Sequence, residues 1–267
     1  MEEKIKAFRN YLIEEERSAN TIDCYLKALK QFFEKYDDVT KENLLDFKRC
    51  QMEKWKPKTA SNRITAMNMY CKFIGKPELK VKTIKIHQSS SVENVITVEE
   101  YNKLLDGLKK DGNKKGYWMV KFLAKTGARV SEFIRLDKTS LEKGYCEMWT
   151  KGKIRRIYIP KWLIEESQEY FSEVKGDFLF PSRNGKQMST RGVAENIKRW
   201  AMKYGVREEV AHPHSFRHLY AIEFLKQNPN ISLLADLMGH SSVSTTSIYL
   251  KLSKEEQMRQ FNEASNW

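Results

Sequence analysis

Arg129, Lys151, His214, Arg217, His240 and Tyr249 are residues whose types and order suit one reaction. Two guanidiniums can clamp the non-bridging oxygens of a phosphodiester as negative charge builds on it. A tyrosine hydroxyl can attack the phosphorus, a lysine can protonate the leaving oxygen, and histidines can move or share protons. Such a set breaks a phosphodiester without a metal. Each piece alone is weak. His214 and Arg217, three apart, share one face of any helix, Gly-His ends many helices, and a lone tyrosine is more often a core aromatic. Order and spacing together carry the signal.

These residues need elements to hold them. Pro213 suits the first turn of a helix carrying His214 and Arg217, and the N-terminus of that helix favours an anion. The apolar run Ile231, Leu233, Leu234, Ala235, Leu237 precedes Gly239-His240, and Ser131 to Leu136 start a helix after Arg129. Segments 144–149 and 154–159, rich in Ile, Tyr, Trp and Met, flank Lys151-Gly152-Lys153 as a β-hairpin. Pro160 then hands over to a helix around Trp162 to Phe171.

Upstream, residues 1–75 read as helices. Ile5, Phe8, Leu12 and Ile13 have helical spacing, Ser18 to Thr21 cap a second helix, and Thr40 opens a short third with Leu44, Leu45 and Phe47. Pro57 and Thr59 start a fourth that ends at Gly75. The period is then lost. The pattern divides the chain into a helical domain over 1–87, a linker over 88–96, and a second domain over 97–267 opened by the capping box Thr97 to Glu100. Ser253 and Glu256 predict a last amphipathic helix before Met258, Phe261 and Trp267.

The net charge is +13 and is not confined to a tail. Residues 1–92 hold 19 Lys/Arg against 13 Asp/Glu, and the remainder 29 against 22. A partner touching both halves, most simply a nucleic-acid backbone, accounts for this. Candidate backbone contacts are Arg63, Lys80, Lys82 and Lys85, with Lys151, Lys153 and Arg155 around the hairpin turn. No stretch approaches the roughly 18 apolar residues of a membrane span, and the N-terminus has no signal-like apolar segment, so no membrane and a cytoplasmic location are expected. Cys24, Cys50, Cys71 and Cys146 lie far apart and argue against a zinc site or disulfide framework.

The chain resembles the tyrosine recombinase (phage integrase) family, closest to its short Xer-like members without an arm-binding domain. The boxes that carry the likeness are Thr126-Gly127-Ala128-Arg129-Val130-Ser131-Glu132, His214-Ser215-Phe216-Arg217-His218, and Leu237-Met238-Gly239-His240-Ser241 followed by Tyr249. Arg17-Ser18-Ala19-Asn20-Thr21 to Tyr25 looks like the family's core-binding domain. The resemblance implies a mainly α fold with a small β-sheet in the second domain, in which a SAM-like helical domain and the catalytic domain form a C-shaped clamp on DNA. Tyr249 would be the nucleophile of a 3′-phosphotyrosine link, and Arg129 and Arg217 the phosphate clamp. Lys151 would be the general acid with Lys153 its rival, His214 an acid/base, and His240 a phosphate hydrogen-bonder. Glu132 would orient the site. No cofactor is implied, since tyrosyl exchange conserves the bond energy. The partners implied are double-stranded DNA with short inverted-repeat sites and a homotetramer on DNA, monomeric or dimeric off it, its last helix docking on a neighbouring protomer. Two other readings stay open: a type IB topoisomerase-like enzyme and a non-catalytic DNA-binding regulator.

Overall fold

A computed structural model of the chain describes residues 2–84, 94–150, 153–240, 242–250, 261–263 and 265, the side chains of Thr150 and Lys153 excepted. The architecture is mainly α-helical with one small two-stranded sheet. It divides into two compact units, Met1–Gln88 and Ser89–Trp267.

The first unit packs helices α1 (Glu2–Glu14), α2 (Ala19–Phe33), α3 (Lys41–Lys54) and α4 (Pro57–Phe73). Local chemistry sets their starts. The Ser18 hydroxyl accepts the Thr21 N–H, the Thr40 hydroxyl accepts the Asn43 N–H, and Pro57 fills the first turn of α4. The core gathers Phe8, Leu12, Leu29, Phe32, Leu44, Phe47, Ile64, Met67 and Tyr70. At 14 residues α3 is longer than its apolar pattern predicts. Leu44 is buried while Leu45 points outward, because neighbours on a helix diverge by about 100°. Beyond α4, Asn68 holds the backbone of Val81 through both its amide atoms, at 2.8 and 2.9 Å. Lys80 and Lys82 are exposed on either side of that anchor; Lys85 lies outside the described residues.

The second unit runs α5 (Val98–Lys110), α6 (Lys114–Thr126), α7 (Val130–Phe133), α8 (Lys138–Lys143), strands β1 (Tyr145–Thr150) and β2 (Lys153–Tyr158), then α9 (Lys161–Glu173), α10 (Thr190–Tyr204), α11 (Pro213–Gln227), α12 (Ile231–Met238), α13 (Val243–Thr246) and a 3-10 turn over Ser247–Leu250. Helix α6 buries Met119, Val120, Phe122 and Leu123 in near succession, as a helix enclosed on all sides must. Helices α5, α9 and α11 surround it. The strands pair antiparallel from Tyr145 with Tyr158 to Thr150 with Lys153. Along β2 the pleat sends Arg155 and Ile157 inward and Ile154, Arg156 and Tyr158 outward, and Ile159 just beyond the strand is buried too.

Two expectations change in detail. The helix expected from Ser131 is the single turn α7. The segment taken as linker does not run to residue 96: Ile96 is buried, and its N–H donates to the Ser215 hydroxyl at 2.7 Å, tying it to α11. Of the last helix, Ser253, Glu256, Met258 and Trp267 lie outside the described residues, and Phe261 is exposed.

Candidate active site

The site is built on the C-terminal end of α12. Gly239, at φ +60°, closes that helix. Its N–H donates to the Asp236 carbonyl, and the His240 N–H donates to the Ala235 carbonyl, the paired bonds of a Schellman ending. This leaves three successive carbonyls without helical partners. Each takes one arginine. Leu237 accepts from Arg155 Nη2 at 2.9 Å, Met238 from Arg217 Nη2 at 2.6 Å, and Gly239 from Arg129 Nη2 at 2.9 Å. The negative end of the helix dipole favours cations at this position.

Glu132 sits beneath the cluster, almost wholly buried. Its carboxylate accepts from Arg129 Nη1 at 3.0 Å, from the Arg129 backbone N–H at 2.7 Å, and from Arg155 Nη1. One carboxylate thus faces three guanidiniums, and the cluster keeps a surplus of positive charge for an anion. Arg217 is 1% exposed, the largest fully buried side chain of the described residues. Burial, with the charges of Arg129 and Arg155, pushes its pKa down to about 9, leaving it protonated at neutral pH. Its Nη1 donates to the Gly127 carbonyl at 2.6 Å. Gly127 is required twice over: it caps α6 at φ +59°, and a Cβ there would lie 2.4 Å from the Tyr220 ring.

His240 and Tyr249 complete the arrangement. His240 Nε2 lies 3.1 Å from Arg217 Nη2 and its Nδ1 2.7 Å from the Thr246 hydroxyl. Burial, and then the charges of Arg217, Arg129 and Arg155, bring its pKa down to about 4. Tyr249, on the 3-10 turn, places its hydroxyl 2.7 Å from His218 Nδ1. Burial pushes the phenol up to about 12, against the pull of Arg217 and Arg129, so it is protonated at neutral pH.

Of the residues singled out by type and spacing, Arg129, Arg217 and His240 meet at the end of α12, with Tyr249 electrostatically coupled to both arginines. His214 is exposed on the first turn of α11, its ring 4.3 Å from that of His218. Lys151 lies outside the described residues, as does the side chain of Lys153. Arg155 departs from expectation. Expected to contact DNA, it is buried, its Nη atoms on Glu132 and the Leu237 carbonyl, and so is part of the site's frame. The inward phase of β2 is the signal that could have found it. Arg63, another expected DNA contact, is half-buried, donates to Gln51 Oε1 at 2.7 Å and stacks 4.1 Å over Trp55. The contacts of His218 and Thr246 carry no sequence signal of their own. Among the described residues, no three His, Cys, Asp or Glu side chains are grouped to hold a metal ion.

Solved structures share this architecture. The XerH site-specific recombinase bound to palindromic difH substrate, a post-cleavage complex, matches with a TM-score of 0.71 at 22% identity, over 93% of this chain and 79% of that one. The Tn1549 transposon integrase in complex with transposon right end DNA matches with a TM-score of 0.76 at 16% identity, over 98% and 99%. At such identities the likeness is one of fold. Sequence relatives include tyrosine recombinase XerA of Pyrococcus furiosus, 28% identical over 94% of this chain and 90% of its own length. Tyrosine recombinase XerC of Neisseria gonorrhoeae is 27% identical over 97% and 93%. Family and sequence relatives define the class, a tyrosine recombinase. The chain belongs to the phage integrase family, whose model matches residues 94–256.

Proposed function

We propose that this recombinase cuts and rejoins double-stranded DNA through a 3′-phosphotyrosine formed by Tyr249, within a homotetramer assembled on short inverted-repeat sites. The observation that carries the reading is the anchoring of Arg129, Arg217 and His240 on one helix end, with Tyr249 within electrostatic reach of both arginines. The guanidiniums bind the scissile phosphate and stabilise the charge of its pentavalent state. Tyr249 attacks in line, Lys151 protonates the departing 5′-oxygen, and the bond energy stays in the tyrosyl ester for rejoining. His214 assists proton movement and His240 hydrogen-bonds the phosphate. The exposed Lys80 and Lys82, together with Lys85 and Lys153, grip the duplex on its phosphate backbone. The even spread of the +13 charge supports that grip. No helix among the described residues is long and apolar enough to cross a membrane, and a DNA substrate is met in the cytoplasm.

A duplex carrying the cognate site, nicked beside the cleavage point so that the short fragment bearing the new 5′-hydroxyl diffuses away, tests this. Wild type is expected to accumulate a covalent protein–DNA adduct, and Tyr249→Phe to bind the same duplex without one. A wild type that binds the site and forms no adduct overturns the reading in favour of a binding-only protein.

A further inference from the structure

Among the described residues, His218 is the one group with a hydrogen bond to the reacting oxygen of Tyr249, and it has no part in the reading above. It lies one turn beyond His214 on α11, and its Nδ1 is 2.7 Å from the phenol oxygen. The rings stand 5.5 Å apart at 54°, so the contact runs through the polar edges and not through stacking. We propose that His218 is the proton acceptor for Tyr249, taking the phenolic proton at Nδ1 as the nucleophile attacks. The inference rests on Tyr249 being the nucleophile.

The chemistry calls for such a group. A phenol held near 12 is protonated at neutral pH and needs a base within hydrogen-bond reach when it attacks. His218 meets the geometric requirement and is neutral. Burial, then the charges of His214 and His212 on its own helix and cap, of Arg217, and of His240 beyond α12, bring it down to about 4. With Nδ1 bare and the ring proton on Nε2, the Tyr249 O–H points at His218. Since the phenol donates in this contact, the lone pairs of its oxygen are left for phosphorus. An anionic phosphodiester arriving between Arg129 and Arg217 offsets the positive surroundings and raises the basicity of the imidazole when it is needed.

The step balances. The Tyr249 Oη–phosphorus bond forms as its O–H bond breaks, and the proton passes to His218 Nδ1. The bond from phosphorus to the 5′-oxygen breaks on the opposite side, and that oxygen takes a proton from the separate acid assigned to Lys151. One phosphodiester becomes one phosphotyrosine diester and one 5′-hydroxyl. In rejoining, His218 returns its proton to Tyr249 as the tyrosine leaves.

Single-turnover adduct formation on the nicked duplex, followed against pH, separates this role from a structural one. His218→Phe removes the acceptor, and adduct formation is expected to slow about 100-fold with DNA binding retained. His218→Asn keeps a hydrogen-bonding atom near the Nδ1 position but takes no proton, and is expected to stay slow. In wild type the rate falls as pH drops through the pKa of His218 in the complex; in His218→Asn that limb is lost. An Asn variant within threefold of wild type, or an unchanged acid limb in both variants, overturns the inference and leaves His218 a spacer. Absence of an adduct from wild type itself overturns the reading of Tyr249, and this inference with it.

Discussion

The guanidinium of Arg217 fixes the tautomer of His240. An arginine N–H only donates, so Nε2, 3.1 Å away, is the acceptor and the ring proton resides on Nδ1. That Nδ1–H then donates to the Thr246 hydroxyl at 2.7 Å. The histidine is thus held between a cation and a fully buried hydroxyl, in the orientation that sets its ring beside the arginines.

Removing that hydroxyl tests the arrangement. Thr246→Val keeps the shape and leaves the His240 Nδ1–H without its acceptor, an expected cost of about 1–3 kcal/mol. Chemical denaturation should show the loss. Adduct formation should slow more than DNA binding weakens, because the ring loses its orientation.

Acid sensitivity should begin early. His218 and His240 are each held at about 4, chiefly by burial, against an ordinary value of 6.5. Between those values the unfolded chain binds protons that the folded chain refuses, so stability falls as the pH drops from 6.5 to 4. Carboxylates held low by ion pairs, such as Glu100 beside Arg207, contribute losses only below their ordinary range near 4.5. Melting temperatures across pH 4.5–6.5 should therefore decline in wild type and decline less in His218→Phe, which keeps His240 but lacks the other of these two rings.

Gly239→Ala should be among the most damaging conservative changes in the chain. Its φ of +60° disfavours any side chain, and a Cβ would stand 2.3 Å from Arg155 Cδ. An expected destabilisation of about 2–4 kcal/mol combines the strain with the clash. Thermal unfolding measures it. Cleavage should fall further than stability alone explains, since the displaced carbonyl is the one that holds Arg129.

The buried carboxylate and the surface lysines should answer to different measurements. Glu132→Gln leaves Arg129 and Arg155 without their counter-charge, an expected cost of about 3–5 kcal/mol in unfolding experiments. Lys80→Ala and Lys82→Ala should leave stability nearly unchanged. Each should instead reduce the slope of log binding constant against log salt by about one. Arg155, buried on Glu132, should not alter that slope when replaced by Met.

Much of this molecule was legible before its structure. Capping residues marked the true starts of α2, α3 and α5 because an N-cap is a local bond between residues three apart. The hairpin was found to within a residue because its turn and its β-branched and aromatic strands are local too. The charge of Arg155 alone suggests a DNA contact, but the inward phase of its strand puts it on Glu132. The contacts of His218 with Tyr249 and of His240 with Thr246 join residues whose meeting depends on how α11, α12, α13 and the 3-10 turn pack. Nothing in the spacing of single residues encodes that.

The three arginines are gripped by main-chain carbonyls of Leu237, Met238 and Gly239. Every residue type carries the same carbonyl, so the grips ask nothing of the side chains at positions 237 and 238 themselves; Met238 is held instead by its burial against Ala221 and Leu234. What the site inherits is the path of the backbone, and α12 can accumulate substitutions at its exposed positions Ser232, Leu233 and Asp236 while the spacing of its guanidiniums stays the same. Among the three gripping carbonyls, the one whose residue type is fixed is that of Gly239.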